Sequence, residues 1–196
     1  MKLNSQTIFK SKRNKVRLRH QRVEKIHTSA EKAKFEAGRL VHLYSKGLAV
    51  PRVITLNSEI IIMEYIKGTP LPDMIDHWEQ NPDPASQKLA MTGVVAWLVK
   101  YYEILEGESR GDINGRNFLF DGERIWGVDF EEQAFNAPLM DIGQLCAFIL
   151  SYEPANTPLK KELVEIIIKQ SGFDPVHVLQ EQKKSLEFLQ RRRSEK

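Results

Sequence analysis

The chain has 196 residues, of which 41% are hydrophobic and 28% charged, with a formal net charge of +3. That suffices for one sizeable core or two small lobes sharing a cleft, in the balance of an ordinary soluble globular protein. The lone cysteine, Cys146, excludes an intramolecular disulfide framework and fits a reducing, cytoplasmic setting. The apolar runs Glu59–Ile66 and Leu145–Leu150 are too short to span a bilayer, and the basic stretch Met1–Arg22 has no signal-like apolar core. The expectation is an intracellular protein without a membrane span.

The charge is uneven. Lys10, Lys12, Arg13, Lys15, Arg17 and Arg19 belong to a basic run that reaches Lys25 against one acid, Glu24, and Arg191–Arg193 closes the chain. Such clusters attract phosphate-bearing partners, so a weak contact to RNA or another anionic partner is one reading; a solvated strand face and a frayed terminus is the other.

Short strand-like segments fill Thr7 to His27, with Lys12-Arg13-Asn14 as a turn between two of them. Thr28 or Ser29 can cap a helix from Ala30 to Lys46 that ends at Gly47, with Ala33, Ala37, Leu40, Val41 and Tyr44 as its apolar positions. Val50–Ile54 and Glu59–Ile66 read as strands around a turn at Asn57-Ser58. After Lys67-Gly68-Thr69-Pro70 the pattern turns helical: Asp73–Glu79, Pro84–Glu106, Asp141–Ser151, Pro158–Gln170 and Pro175–Arg192. A strand-rich first part over 1–66 with one helix therefore joins a mostly helical part over 67–196, an α+β architecture of two lobes and a hinge.

The chemistry is concentrated in Arg110-Gly111-Asp112 through Asn117 and in Val128-Asp129-Phe130-Glu131. Asn117 follows Asp112 by five positions, and Asp129 lies twelve further on. Between them, Phe118-Leu119-Phe120 and Ile125-Trp126-Gly127-Val128 flank the turn signal Asp121-Gly122, so a hairpin would return Asp129 toward Asn117. A carboxylate and an amide oxygen beside a second carboxylate are hard ligands, suited to Mg²⁺ carried on a polyphosphate. Any one of these residues alone is ordinary turn chemistry, and Asp112 by itself reads as structural; the ordered set is what points to a site.

These motifs resemble the catalytic core of the protein-kinase-like superfamily, in which H-x-D-x-x-x-x-N is followed by a strand pair and D-F-G. The Gly before Asp112 and the Glu after Phe130 look more like the aminoglycoside- and choline-phosphotransferase branch, and the small size is similar to RIO-type kinases and the minimal kinase-like ATPase subunit of tRNA-modifying complexes. The resemblance implies a protein-kinase-like two-lobe fold that binds ATP and Mg²⁺ and acts as a phosphotransferase. In it Asp112 is the catalytic base, Asn117 and Asp129 hold the metal, and Arg116 offsets charge on the transferred group. Met63, Glu64 and Ile66 correspond to the adenine-binding hinge, through the Glu64 carbonyl and Ile66 amide. Lys25 corresponds to the phosphate-binding lysine, with Arg22 and Arg19 as competitors, and Glu36 to its acidic partner; for Glu36 a surface pair with Lys32 is the competing reading. Asp141 matches the Asp that braces the catalytic loop.

The pattern departs from the family in three places. No glycine precedes Gly38, so the Gly-rich phosphate loop is missing and the turn near Lys12-Arg13-Asn14 would substitute charge for backbone contacts. Arg110 stands for the usual His, with the expected loss of a packing and hydrogen-bonding piece, and Glu131 stands for the usual Gly. There is no Ala-Pro-Glu motif, which argues against a regulated eukaryotic-type protein kinase. The acceptor, protein or small molecule, is not encoded in any readable motif; a degenerate nucleotide-binding scaffold and a partner-dependent ATPase near RNA are the alternative functions. His27, His42, His77 and His177 lack metal-ligand spacing and read as surface or packing residues, Cys146 as a buried inert thiol, and Trp97, Tyr101 and Tyr102 as helix core.

Overall fold

The computed structural model describes residues 7–9, 14–132 and 136–194. Contacts divide the chain into two compact units: Met1–Lys67 with Gly127–Glu131, and Gly68–Trp126 with Glu132–Lys196. The returning segment Gly127–Glu131 belongs to the first unit, where the Gly127 amide donates to the Ala49 carbonyl at 3.0 Å.

The first unit is an antiparallel sheet and one helix. Its strands are β1 (Thr7–Phe9), β2 (Lys15–Arg19), β3 (Arg22–Ile26), β4 (Val53–Asn57) and β5 (Ile60–Glu64), ordered β1-β2-β3-β5-β4. The β2–β3 turn is His20-Gln21, both at positive φ (47° and 59°), as the right-handed twist of a two-residue hairpin demands. Neither residue advertises that turn. Of the turn expected at Lys12-Arg13-Asn14, Lys12 and Arg13 lie outside the described residues, as do Lys2 and Lys10 of the basic run. Alternation along β5 buries Ile61 and Met63.

Helix α1 (Ala30–Ser45) starts at Ser29, whose hydroxyl accepts from the Lys32 amide at 3.4 Å. It buries Ala33, Glu36, Ala37, Leu40 and Leu43. The stripe expected from the sequence is therefore displaced: Val41 is 55% and Tyr44 46% exposed, and the acid Glu36 takes a place on the inner face.

The second unit is helical: α2 (Leu71–Gln80), α3 (Pro84–Ile104), α4 (Pro138–Ser151), α5 (Pro158–Ser171) and α6 (Pro175–Ser194). Pro at the first turn recurs in α2, α3, α4 and α5, where its missing N–H costs nothing. Asp83 and Thr157 cap α3 and α5 by accepting from Ser86 and Lys160. The core of α3 includes Trp97, Tyr101 and Tyr102 as expected, with Trp97 stacked on Tyr101 at 5.5 Å between centroids, whereas Leu89 is half exposed. Gly143 lets α4 press against α6: a Cβ there would lie 2.5 Å from the Glu181 Cβ. Two short strands, β7 (Phe118–Phe120) and β8 (Ile125–Gly127), form the expected hairpin and extend to β6 (Thr69–Pro70). The hairpin turn is tied by Asp121, whose Oδ1 accepts from the Glu123 and Arg124 amides at 2.9 Å each. Among the described residues no helix is long and apolar enough to cross a membrane.

Candidate active site

In the first unit the chemistry gathers around Lys25. The β3 alternation turns this lysine inward, leaving its side chain 6% exposed. Its Nζ lies 2.8 Å from Glu36 Oε2, 3.0 Å from Glu36 Oε1, 2.6 Å from Asp129 Oδ1 and 3.8 Å from Glu131 Oε2. Burial alone would lower the lysine's pKa, but the charges of Glu36 and Asp129 outweigh it and hold the ammonium above its ordinary value. Glu36, 1% exposed, is the reciprocal case. Burial would raise its carboxyl, yet the His27 ring at 3.0 Å, the Lys25 charge and the Phe130 amide at 3.0 Å hold it down at about 2. Glu36 is thus an interior ion-pair partner, and the surface pairing with Lys32 is set aside.

Asp129 sits at φ 67°, the left-handed region that Asp tolerates better than most residues. Its carboxylate is 39% exposed, while the following Phe130 is buried. Glu131 accepts from the Asn14 amide group, which ties the start of β2 to the segment carrying Asp129. Met63, Glu64 and Ile66 lie at and just past the end of β5: Met63 and Ile66 are buried, and the Glu64 amide donates to the Arg52 carbonyl at 3.0 Å.

In the second unit the loop after α3 is held from one carboxylate. Asp141, on the first turn of α4, accepts from the Arg110 amide at 2.6 Å, the Gly111 amide at 3.2 Å and the Tyr102 hydroxyl at 3.2 Å. This is the bracing position that the resemblance implied. Burial pushes the Asp141 carboxyl above its ordinary value despite those donors, and burial beside Asp141 pushes the Tyr102 hydroxyl up as well. Gly111 adopts φ 77°, so the loop reverses where a side chain would be strained. Gly115 is equally constrained, because a Cβ would sit 2.8 Å from the Tyr152 hydroxyl.

Asn117 is 8% exposed and ends a single 3₁₀ turn, Gly115–Asn117, capped by Asn114. Its Nδ2 donates to the Asp112 carbonyl at 3.3 Å and to Asp112 Oδ2 at 3.1 Å. Both partners only accept, which fixes the amide orientation and leaves Oδ1 as a hard oxygen ligand. Asp112 and Asn117 are therefore brought together, as are Lys25, Glu36 and Asp129 in the other unit. Arg116 is not directed at Asp112; its exposed guanidinium reaches Asp73 on α2 at 3.4 Å.

One residue was misjudged from sequence. Arg110 fills the place of the missing His rather than leaving it empty. It is 3% exposed, its Nε donates to the Asp112 carbonyl at 3.1 Å, and its Cζ lies over the Trp97 and Phe118 rings at 5.3 and 5.2 Å. The aromatic residues at 97 and 118 were the available signal. Of the two readings for His27, packing holds: its side chain is fully buried against Glu36. Cys146 is buried as expected, its thiol pushed up to about 12 by burial.

A family model for the RIO domain matches residues 2–138 of this sequence. The chain belongs to the RIO domain family. Among curated proteins it is similar to the EKC/KEOPS complex subunit BUD32 of Encephalitozoon cuniculi (strain GB-M1), with 31% identity over 99 residues, 50% of this chain and 46% of that protein. The chain thus spans about half the length of that relative. Similar solved structures include the gentamicin complex of APH(2")-IIa (TM-score 0.65, 13% identity, covering 91% of this chain and 81% of that one). A choline/ethanolamine kinase family protein from Mesorhizobium loti follows (TM-score 0.55, 18% identity, 84% and 69%). The Rio2 kinase from Chaetomium thermophilum gives a TM-score of 0.53 at 15% identity, over 97% and 72%. The fold is protein-kinase-like, of the atypical RIO type.

Proposed function

We propose that this RIO-family chain is an ATP-dependent phosphotransferase that passes the γ-phosphoryl group of Mg-ATP to a hydroxyl of a protein or small-molecule acceptor. The observation that carries the reading is Lys25, a buried ammonium bonded at once to Glu36 and Asp129. A cation so fixed is preorganised to meet phosphate oxygens without reorganising at the moment of binding. Glu36 orients it, and the backbone at Met63, Glu64 and Ile66 meets the adenine edge.

Asn117 Oδ1 and the Asp129 carboxylate are hard oxygens and fit Mg²⁺, which when bound neutralises charge on the phosphates. Asp112 takes the proton of the acceptor hydroxyl as its oxygen bonds to the γ-phosphorus and the bond to the bridging oxygen of ADP breaks. The Asn117 amide on Oδ2 supports this role by holding the carboxylate in one orientation. Arg116 offsets charge on the transferred group once it leaves Asp73.

Melting temperatures with ATP and Mg²⁺, with ATP alone and with neither test the reading, because a ligand of the folded state must raise stability. Wild type gains only with both present, and Asp129→Asn does not gain; Asp112→Ala binds but does not turn over. A wild-type chain indifferent to nucleotide ends the reading. Saturable binding without transfer favours the degenerate scaffold. That BUD32 is a subunit of the EKC/KEOPS complex favours a second possibility, an ATPase whose turnover requires a partner protein.

A further inference from the structure

We propose that His27, Glu36 and Glu131 form a binding site for a divalent transition metal of the zinc class within the first unit, separate from the Mg²⁺ ligands proposed above. One ligand atom from each lies within 4.8 Å of the other two. The His27 and Glu36 side chains are 0% and 1% exposed, and Glu131, at 16%, forms the side open to solvent.

The imidazole itself points to a ligand. Both ring nitrogens of His27 are buried without a hydrogen-bond partner, and Glu36 Oε2, though ion-paired with Lys25 at 2.8 Å, makes no aligned hydrogen bond. Buried polar atoms left this way need an occupant or another explanation. His27 Nε2 approaches Glu36 Oε2 to 3.0 Å without the alignment of a hydrogen bond. Two ligands of one ion look like this: metal bonds of about 2.0–2.2 Å place neighbouring ligand atoms about 3–3.5 Å apart, each aimed at the ion rather than at the other. Glu36 Oε1 is occupied by the Phe130 amide and Lys25, which orients the carboxylate so that Oε2 faces the imidazole.

Charge agrees with geometry. Lys25 faces three carboxylates, Glu36, Asp129 and Glu131, at 2.8, 2.6 and 3.8 Å. Three carboxylates gathered on one ammonium make surroundings that favour a further cation. A nitrogen donor with two carboxylates favours Zn²⁺ or Co²⁺ over Mg²⁺, with a water completing a tetrahedral set on the Glu131 side. The ion takes Glu36 Oε2 from Lys25 and leaves the ammonium on Asp129. If Lys25 is the phosphate contact (a consequence that rests on the function proposed above), metal occupancy opposes nucleotide binding.

The test is a Co²⁺ titration of the full chain without nucleotide, read by visible absorption and repeated with Zn²⁺ by calorimetry. One ion binds per chain with a tetrahedral spectrum, and excess Mg²⁺ does not displace it. His27→Gln and Glu131→Gln each weaken binding by at least about tenfold, while the exposed-site control His42→Gln leaves it unchanged. Circular dichroism and melting in chelator establish that the variants fold. Absence of saturable binding by wild type overturns the proposal, as does equal binding by folded His27→Gln or loss of binding in His42→Gln. A chain that binds Zn²⁺ but shows no Mg-ATP stabilisation keeps the metal site and loses the phosphotransferase reading; the reverse pattern does the opposite.

Discussion

Replacing Lys25 by Met removes the charged partner of a buried carboxylate and leaves it the His27 ring and the Phe130 amide. Glu36 is 1% exposed and held at about 2, against an ordinary value of 4.5. That depression corresponds to about 3 kcal/mol, at ~1.4 kcal/mol per tenfold change in proton affinity. The depression is shared among the His27 ring, Lys25 and the Phe130 amide, so Lys25 supplies part of it, while breaking a buried pair from one side costs about 3–5 kcal/mol. The Asp129 contact adds little, since that carboxylate is 39% exposed and screened by water. Lys25→Met should therefore destabilise the first unit by about 3 kcal/mol at neutral pH. Glu36→Gln should cost less, because Lys25 keeps Asp129 at 2.6 Å. The double variant should fall short of the sum by about 1 kcal/mol or more.

The pH dependence has a definite sign. Because the folded value of Glu36 is depressed, its stabilisation is complete above about 4.5 and is lost as the pH falls through about 2. In Lys25→Met the loss moves to higher pH, since burial then acts without the lysine's charge. The assay must read the right unit. Trp78, Trp97 and Trp126 all belong to the second unit, so tryptophan fluorescence is blind to this change. Far-UV circular dichroism in urea and amide exchange along α1 report it. A coupling below about 0.5 kcal/mol, or an acid transition that does not move in Lys25→Met, would refute the reasoning.

Four further outcomes concern the second unit. Asp141→Ala strips the acceptor from the Arg110 and Gly111 amides and should cost about 2–4 kcal/mol, read by tryptophan fluorescence in urea. Because the folded Asp141 carboxyl is raised, the native state holds its proton more tightly than the unfolded chain. That contribution is full below the ordinary carboxylate range and fades as the pH rises through the folded value, so Asp141→Asn should flatten the slope there. Gly111→Ala forces a side chain to φ 77° and should cost about 1–2 kcal/mol in the same assay. Gly143→Ala places a Cβ 2.9 Å from the Gln182 amide nitrogen and should cost about 1–3 kcal/mol, with faster amide exchange in α6.

Local rules were enough to read a good part of this protein from its residues. Caps, first-turn prolines and the Asp121-Gly122 turn locate the helices and the β7–β8 hairpin to within a few positions, because these signals act over one or two turns of chain. The ordered set Asp112, Asn117 and Asp129 stood out for a similar reason: hard oxygen groups at that fixed spacing are uncommon in combination, whatever surrounds them. What the residues alone could not decide is which face of α1 turns inward. Glu36 was read as the acid paired with Lys25 against a competing surface pair with Lys32, and its burial against Lys25 and His27 on one stretch of chain and Phe130 on another is what makes it an interior ion pair. Arg110 was misjudged, and His27 left open between surface and packing, for the same reason. An arginine becomes a packing residue only where Trp97 and Phe118 supply ring faces, and a histidine's role depends on the carboxylate opposite it. Sequence spacing thus singled out the groups proposed to carry the chemistry. Tertiary structure decided their partners, because burial and charge pairing depend on residues brought together from distant parts of the chain.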